Sequence, residues 1–310
     1  MKYNLSFILG LLLYCIGAKA QEFKVDTAFI VSNYPNDIIY KTDIVYKSVN
    51  GIDLKLDIYK LSRYNKEKTP VIISIHGGAW YAGTKNDDIH YSVKLFNNLL
   101  QQGYAIVTIE YRLSPVAKFP AQIQDCNDAI DFVYKKADEY NLAKDKIAVM
   151  GGSAGGHLAA LIGTTNNYNI PEFYSNQKKP AFKIKAVVDF FGPTDFMAMR
   201  GNSGVVEHDD PNSAEAQLIG SSPLLRPDLA KKASPTTYVC KQTPPFIIFH
   251  GDKDTVVQYS QSVIFHSYLN LAGVNNKFIT VNGAGHGGAE FGADEIINEI
   301  SNFLRSCMKD

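Results

Sequence analysis

Ser153 stands in the stretch Gly151-Gly152-Ser153-Ala154-Gly155, with a strand-like run ending at Met150 before it and a helix-like run, residues 154–163, after it. A serine hydroxyl is a poor nucleophile at neutral pH unless a base takes its proton and a third group orients that base. The pattern G-x-S-x-G at a strand-to-helix seam describes a turn so sharp that side chains two residues either side of the serine would meet backbone. The turn holds the serine in strained geometry and lifts its hydroxyl clear of the sheet. The helix N-terminus behind it directs free N–H groups at any developing oxyanion. A glycine-rich turn of this kind can also cradle phosphate. This one lacks the Gly-Lys-Ser/Thr of a P-loop and does not fit G-x-G-x-x-G.

Seven histidines compete for the role of base. His286 lies in the flexible loop "NGAGHGGAEF" after the last expected strand, which suits the chain order Ser…Asp…His. His266 falls inside an amphipathic helix. His90, His157 and His208 lack a strand end beneath them or come in the wrong order. His250 ends a strand but precedes the expected acid, and is read as structural. The acid should lie just past a strand between Ser153 and His286, and "FIIFHGDKDTVV" supplies Asp252 and Asp254. Both could be turn residues. Asp254, farther beyond the strand and freer to reach another loop, is preferred. The two carboxylates alone do not make an EF-hand calcium loop.

A tetrahedral intermediate of acyl transfer needs donors already in place. The N–H of Ala154, directly after the serine, is one candidate. The loop "HGGAW", residues 76–80, follows an early strand and offers Gly77 and Gly78, with no side chain to obstruct a substrate oxygen.

These groups need a frame. Residues 43–49 and 52–59 are strand-like around Asn50-Gly51, a type I′ hairpin signal. Short apolar strands over 71–75, 104–109, 146–150, 184–191, 246–250 and 277–281 then alternate with helical segments. The helices fall over 88–101, 121–140, 154–163, 258–271 and 290–307. Unbroken apolar strands alternating with amphipathic helices predict a mostly parallel eight-stranded α/β sheet covered on both faces. In such sheets reactive groups gather at the C-terminal strand ends. Residues 196–239, polar and rich in Pro, Ser and Asp, are too long for a plain loop. They are expected to form a cap-like insertion over that edge.

The chain has 310 residues, 45% of them hydrophobic, with 31 basic and 31 acidic side chains. That balance gives no field for nucleic acid. Lys2, the apolar run from Leu5 to Ile16 and Ala18-Lys19-Ala20 read as a secretory signal peptide over residues 1–20, cut after Ala20. A lipoprotein signal at Cys15 is disfavoured by the bulky Tyr14, and no later stretch is apolar enough to span a bilayer. The remaining cysteines, Cys126, Cys240 and Cys307, could form at most one disulfide in an exported protein, and their spacing fits no metal motif. Residues 21–310 are expected to form one domain of unknown oligomeric state.

With "HGGAW", "EYRLSPVAKFPAQIQD", "GGSAGGHLAAL", "FFGPTD", "HGDKDTVV" and "GAGHGG" in this order, the chain resembles the α/β-hydrolases. Specifically it is similar to the hormone-sensitive-lipase-like and bacterial feruloyl/acetyl-esterase-like carboxylesterases, from about Asp43 to Leu304. The resemblance implies Ser153 as nucleophile, Asp254 as acid and His286 as base. It implies oxyanion donors at Gly78 and Ala79 beside Ala154, and no metal or organic cofactor. It departs at Ala79, where many relatives carry a third glycine, and at Gly152, where several carry Asp. The family's Asp-Tyr-Arg appears as Glu110-Tyr111-Arg112, with Glu110 and Arg112 expected to pair beneath the site. Family substrates range from acetylated sugars and feruloyl esters to short acyl esters and formamides. Export and this resemblance together favour O-acetyl or feruloyl esters of polysaccharide or another small ester. Trp80 is expected either to stack on a substrate ring or to lie in the core. The rival expectations are a serine peptidase of prolyl-oligopeptidase type and a non-catalytic binding protein on the same fold.

Overall fold

The computed structural model describes residues 27–199 and 206–308. The expected signal peptide lies outside the described residues, as does a short part of the insertion. The strands are β1 (Ile38–Val49), β2 (Ile52–Leu61), β3 (Thr69–Ile75), β4 (Ala105–Ile109), β5 (Leu142–Gly152), β6 (Ile184–Phe190), β7 (Phe246–Gly251) and β8 (Asn276–Val281). They form one sheet in the order β1-β2-β4-β3-β5-β6-β7-β8. β1 pairs antiparallel with β2, and β2 with β4, while every later pair is parallel. This is the α/β-hydrolase fold expected from the sequence. Asn50 and Gly51 take positive φ of 50° and 77° at the β1–β2 turn, as a type I′ turn requires.

Strand side chains alternate between two cores. Val71, Ile73, Ile147, Val149, Val187 and Ile248 face one side. There they meet Ile123 and Ile130 of α4 (Ala121–Lys135), Leu158 and Leu161 of α5 (Ala154–Thr165), and Phe265 and Leu269 of α8 (Ser260–Leu271). Ile72, Ala148, Met150, Val188 and Phe249 face the other. That side carries Ile30 of α1 (Thr27–Asn33), Phe96 and Leu99 of α3 (Val93–Gln101), and Ile300 and Leu304 of α9 (Asp294–Met308). Each fully buried aliphatic contributes about 1.5–3 kcal/mol. A few of them outweigh the ~1–3 kcal/mol of a strained backbone residue.

Several boundaries differ from expectation. The helix expected over 88–101 is two, α2 (Asp87–Tyr91) and α3, because Ser92 leaves helical geometry at ψ 27°. α4 ends at Lys135, and α9 begins at Asp294 after a 3-10 turn, Ala289–Gly292. The insertion contains α6 (Ala214–Ile219) and α7 (Pro227–Ala233). It is less polar in its packing than in its composition: Phe196, Leu218, Ile219, Ala230 and Ala233 are buried in the core layer shared with α4 and α5. Cys126, Cys240 and Cys307 are unpaired, and among the described residues no helix is long and apolar enough to cross a membrane.

Glu110 and Arg112 do not pair with each other. They leave the end of β4 toward different neighbours: Glu110 accepts a hydrogen bond from the Lys55 N–H at 2.9 Å, while Arg112 donates to both oxygens of Asp125 at 2.7 and 2.9 Å. Lys47 also donates to Asp125, at 2.6 Å, from β1. Asp125 is fully buried and holds two cations, so Asp125→Ala should destabilise the protein by about 3–5 kcal/mol in urea unfolding. Glu139→Ala, which breaks a solvent-screened surface pair with Lys136, should leave the unfolding midpoint close to that of the wild type. Equal effects would contradict the role assigned to the Asp125 cluster.

Candidate active site

β5 lies between β3 and β6, and its last residues pair in register with Ile75, Asp189 and Phe190. Ser153 therefore leaves the middle of the sheet, between the loop after β3 and the loop after β6. Its backbone sits at φ 56°, ψ −121°, the strained turn expected from G-x-S-x-G. A Cβ at Gly155 would lie 1.9 Å from the Ile75 carbonyl oxygen, and one at Gly151 would lie 2.4 Å from the Gly155 carbonyl carbon. No side chain larger than hydrogen fits at either position.

Ser153 Oγ lies 2.9 Å from His286 Nε2, and His286 Nδ1 lies 2.7 Å from Asp254 Oδ2. A proton on Nδ1, bonded to the carboxylate, leaves Nε2 as the acceptor for the serine O–H. Asp254 Oδ1 accepts from the N–H groups of Val256 and Val257 at 2.8 and 2.9 Å. Burial acts to raise the Asp254 pKa, but hydrogen bonds from His250 and His286 and from this backbone outweigh it and hold the carboxyl well below the usual range. Asp252 does something else: its Oδ1 accepts from the Gly283 N–H at 2.6 Å and ties the turn after β7 to the turn after β8.

The loop after β3 passes beside the serine. A Cβ at Gly77 would lie 3.0 Å from the Gly152 oxygen and 3.7 Å from Ser153 Cβ. Gly78, Ala79 and Trp80 follow at φ 100°, 55° and 56°, three left-handed residues in succession. Two of these are not glycine, at a cost of about 1–2 kcal/mol each, so the loop needs firm anchors. Tyr111 stacks on His76 with ring centroids 4.2 Å apart, and the Ser114 N–H bonds the Trp80 carbonyl at 2.8 Å. Lys85, just downstream, reaches the buried Asp57 of β2 at 2.9 Å.

Trp80 itself is core. It is 1% exposed, packs on Phe196, and donates from Nε1 to His157 Nδ1 at 3.1 Å. His157 Nε2 then donates to the Ala233 carbonyl of α7 at 2.8 Å. Burial pulls the His157 pKa down to about 4, so the ring is neutral and forms a fixed post between the loop and the insertion. The exposed aromatic of this loop is Tyr81.

Three neighbours were not singled out for the site from sequence. Phe191 lies 4.8 Å, centroid to centroid, from the His286 ring and packs on Phe291. His250, fully buried, reaches Asp254 Oδ2 through Nε2 at 3.1 Å. His208 of the insertion lies between Glu215 Oε1 at 3.2 Å and the Val256 carbonyl at 3.1 Å. Burial lowers the His208 pKa, but Glu215 more than offsets it and raises it overall. Among the described residues no group of three His, Cys, Asp or Glu side chains is arranged to hold a metal.

Beneath the elbow, Asp189 of β6 is buried with Oδ1 accepting the Gly192 N–H at 3.0 Å and Oδ2 without a partner. Burial pushes its pKa up to about 6, from an unfolded value near 3.9. The folded protein thus binds this proton more tightly than the unfolded chain, and stability falls as pH rises from about 4 to about 6. Asp189→Asn keeps the acceptor and removes the charge. Its stability relative to the wild type should therefore improve by roughly 2–3 kcal/mol between pH 4 and pH 8 in urea unfolding. A pH-independent difference would contradict this.

The BD-FAE family profile matches residues 56–269. Esterase LipQ of Mycobacterium tuberculosis is 32% identical over 66% of this chain and 47% of its own length. Esterase LipC of the same organism is 29% identical over 75% of this chain and 56% of its own. The chain thus spans about half the length of these curated relatives. A truncated carbohydrate esterase from gut microbiota superposes with a TM-score of 0.78 at 32% identity, covering 90% of this chain and all of that one. A bifunctional GH43-CE protein of Bacteroides eggerthii superposes with a TM-score of 0.78 at 33% identity, over 87% of this chain and 35% of its own. On the extent of the family match, together with the fold, the chain belongs to the BD-FAE family of α/β-hydrolase esterases.

Proposed function

We propose that the protein is an exported serine carboxylesterase that removes acetyl or feruloyl groups from carbohydrate, or hydrolyses similar short acyl esters. The observation that carries this reading is the continuous line from Ser153 Oγ through His286 to Asp254 at the C-terminal sheet edge. Ser153 attacks the ester carbonyl while His286 Nε2 takes its proton. The negative oxygen of the tetrahedral intermediate is met by the N–H groups of Gly78, Ala79 and Ala154. As the intermediate collapses, the C–O bond to the alcohol breaks and His286 returns the proton to that oxygen. Water then attacks the acyl-enzyme by the same route, releasing the acid and restoring Ser153. Asp254 keeps the imidazole proton on Nδ1 throughout.

The carbohydrate part of the reading is supported by the solved neighbours, which are described as a carbohydrate esterase and a bifunctional GH43-CE protein. Export rests on residues 1–20. The insertion, residues 196–239, is read as the segment that sets substrate choice. It meets the site through His157 and His208 without supplying the nucleophile, base or acid.

Ser153→Ala should abolish hydrolysis of an aryl acetate with a loss of roughly 10⁴–10⁶ in kcat and an unchanged melting profile. Asp254→Asn should cost roughly 10⁴ through the wrong imidazole tautomer, and Asp252→Asn far less. Near-wild-type turnover by Ser153→Ala, or the reverse ranking of the two carboxylates, would overturn the assignments. A panel of acetyl, butyryl, octanoyl and feruloyl esters beside acetylated xylan tests the substrate class. A proline-linked anilide should be a poor substrate.

A further inference from the structure

His250 takes no part in the proton transfers above, yet it is fully buried and shares an acceptor with the proposed base. Its Nε2 lies 3.1 Å from Asp254 Oδ2, the oxygen that His286 Nδ1 approaches at 2.7 Å, and 3.0 Å from the Val257 carbonyl oxygen. Both of these partners only accept, so Nε2 must carry hydrogen. On the far side of the ring, Nδ1 lies 2.7 Å from the Ser262 hydroxyl on α8. A neutral imidazole protonated at Nε2 satisfies every contact, with Ser262 donating to Nδ1. The groups that surround the ring are Asp254 on its own loop, Asp189 on β6, and the rings of Tyr259 and Phe191.

We propose that His250 is a positioning residue for the proposed acid. It is a second donor to Asp254 Oδ2, its tautomer set by the two acceptors at Nε2 and its ring held in place by Ser262, that fixes the carboxylate and moderates its pull on the His286 Nδ1 proton. This rests on the esterase reading. The geometry gives His250 two linked effects. By donating to both Asp254 Oδ2 and the Val257 carbonyl, it fastens the carboxylate to the residue whose N–H holds Oδ1. By drawing on the electron density of Oδ2, it limits how strongly that oxygen stabilises an imidazolium at His286. Without it, the carboxylate would be freer to move and would bind the His286 proton more tightly, so the base would release its proton less readily.

The test compares His250→Leu, which removes the donor, with His250→Gln, whose side-chain amide keeps an N–H donor, and with Ser262→Ala, which removes the partner that holds the far side of the ring. With the carboxylate, and so the imidazole, less firmly placed, His250→Leu should lose roughly 10–100-fold in kcat on an aryl acetate at little change in KM. The acid limb of its kcat/KM profile, which reports the free-enzyme base, should move to higher pH. His250→Gln should restore the limb, and Ser262→Ala should move it in the same direction by less. A second readout needs no substrate: the low-field proton resonance of the His286–Asp254 hydrogen bond should move further downfield in His250→Leu and return in His250→Gln. If His250→Leu fails to fold, Ser262→Ala decides the matter by the same two readouts. Resonance and limb positions identical to wild type in the folded variants, with loss confined to Tm, would reduce His250 to packing and overturn the proposal. An inactive wild type with the resonance responding as described would instead contradict the esterase reading and leave the role of His250 intact.

Discussion

The contact on which the site depends is the approach of the first turn of α5 to the end of β3. Gly155 lies so close to the Ile75 carbonyl that any Cβ would overlap it, and Gly151 is closed off by Gly155 itself. That packing leaves Ser153 no relaxed conformation and holds it at φ 56°. The strain is local, and the sheet on either side of β5 is buried on both faces, so a conformation unfavourable by ~1–3 kcal/mol is over-determined by its surroundings. Because β3 is the strand against which the elbow closes, the loop that follows β3 is delivered to the serine by the same contact. The rest of that loop is then held by Tyr111 and Ser114 of the loop after β4 and by His157 of α5, while its own Lys85 reaches Asp57 of β2.

The proposed acid is held with similar redundancy. Asp254 receives two backbone N–H groups on one oxygen and two imidazoles on the other. The residues that donate these N–H groups are themselves held through their carbonyls, Val257 by His250 and Val256 by His208. His208 belongs to the insertion and leans on Glu215 of α6. The segment read as setting specificity is therefore mechanically connected to Asp254, and through His157 to the loop after β3. A rearrangement of the insertion would be felt at both ends of the reacting line.

Much of this was legible in the sequence. The strands were readable because apolar runs of about six residues leave little choice of structure, and all eight occur where the pattern put them. Ser153, His286 and Asp254 could be singled out because local chemistry and chain order constrain them together. Other features depend on tertiary contacts that no local pattern records. Arg112 turns to Asp125, a buried carboxylate that Lys47 of β1 also meets. Trp80 is buried because two successive left-handed residues turn it inward onto His157 and Phe196. His250 was read as structural, and only the fold of the β7 loop shows that its ring meets Asp254. The insertion reads as polar because its buried residues, Phe196, Leu218, Ile219, Ala230 and Ala233, are scattered among turns without period.

The central claim is that the strained serine of the elbow, activated by His286, is the group that bonds to substrate. It is tested most directly by exposing the intact protein to a fluorophosphonate, which reacts with activated serines, and locating the adduct by tandem mass spectrometry alongside residual activity on an aryl acetate. One adduct per chain is expected, on Ser153, with activity lost in proportion to labelling. An adduct on another serine that tracks the loss of activity, or undiminished activity in fully labelled protein, would contradict it.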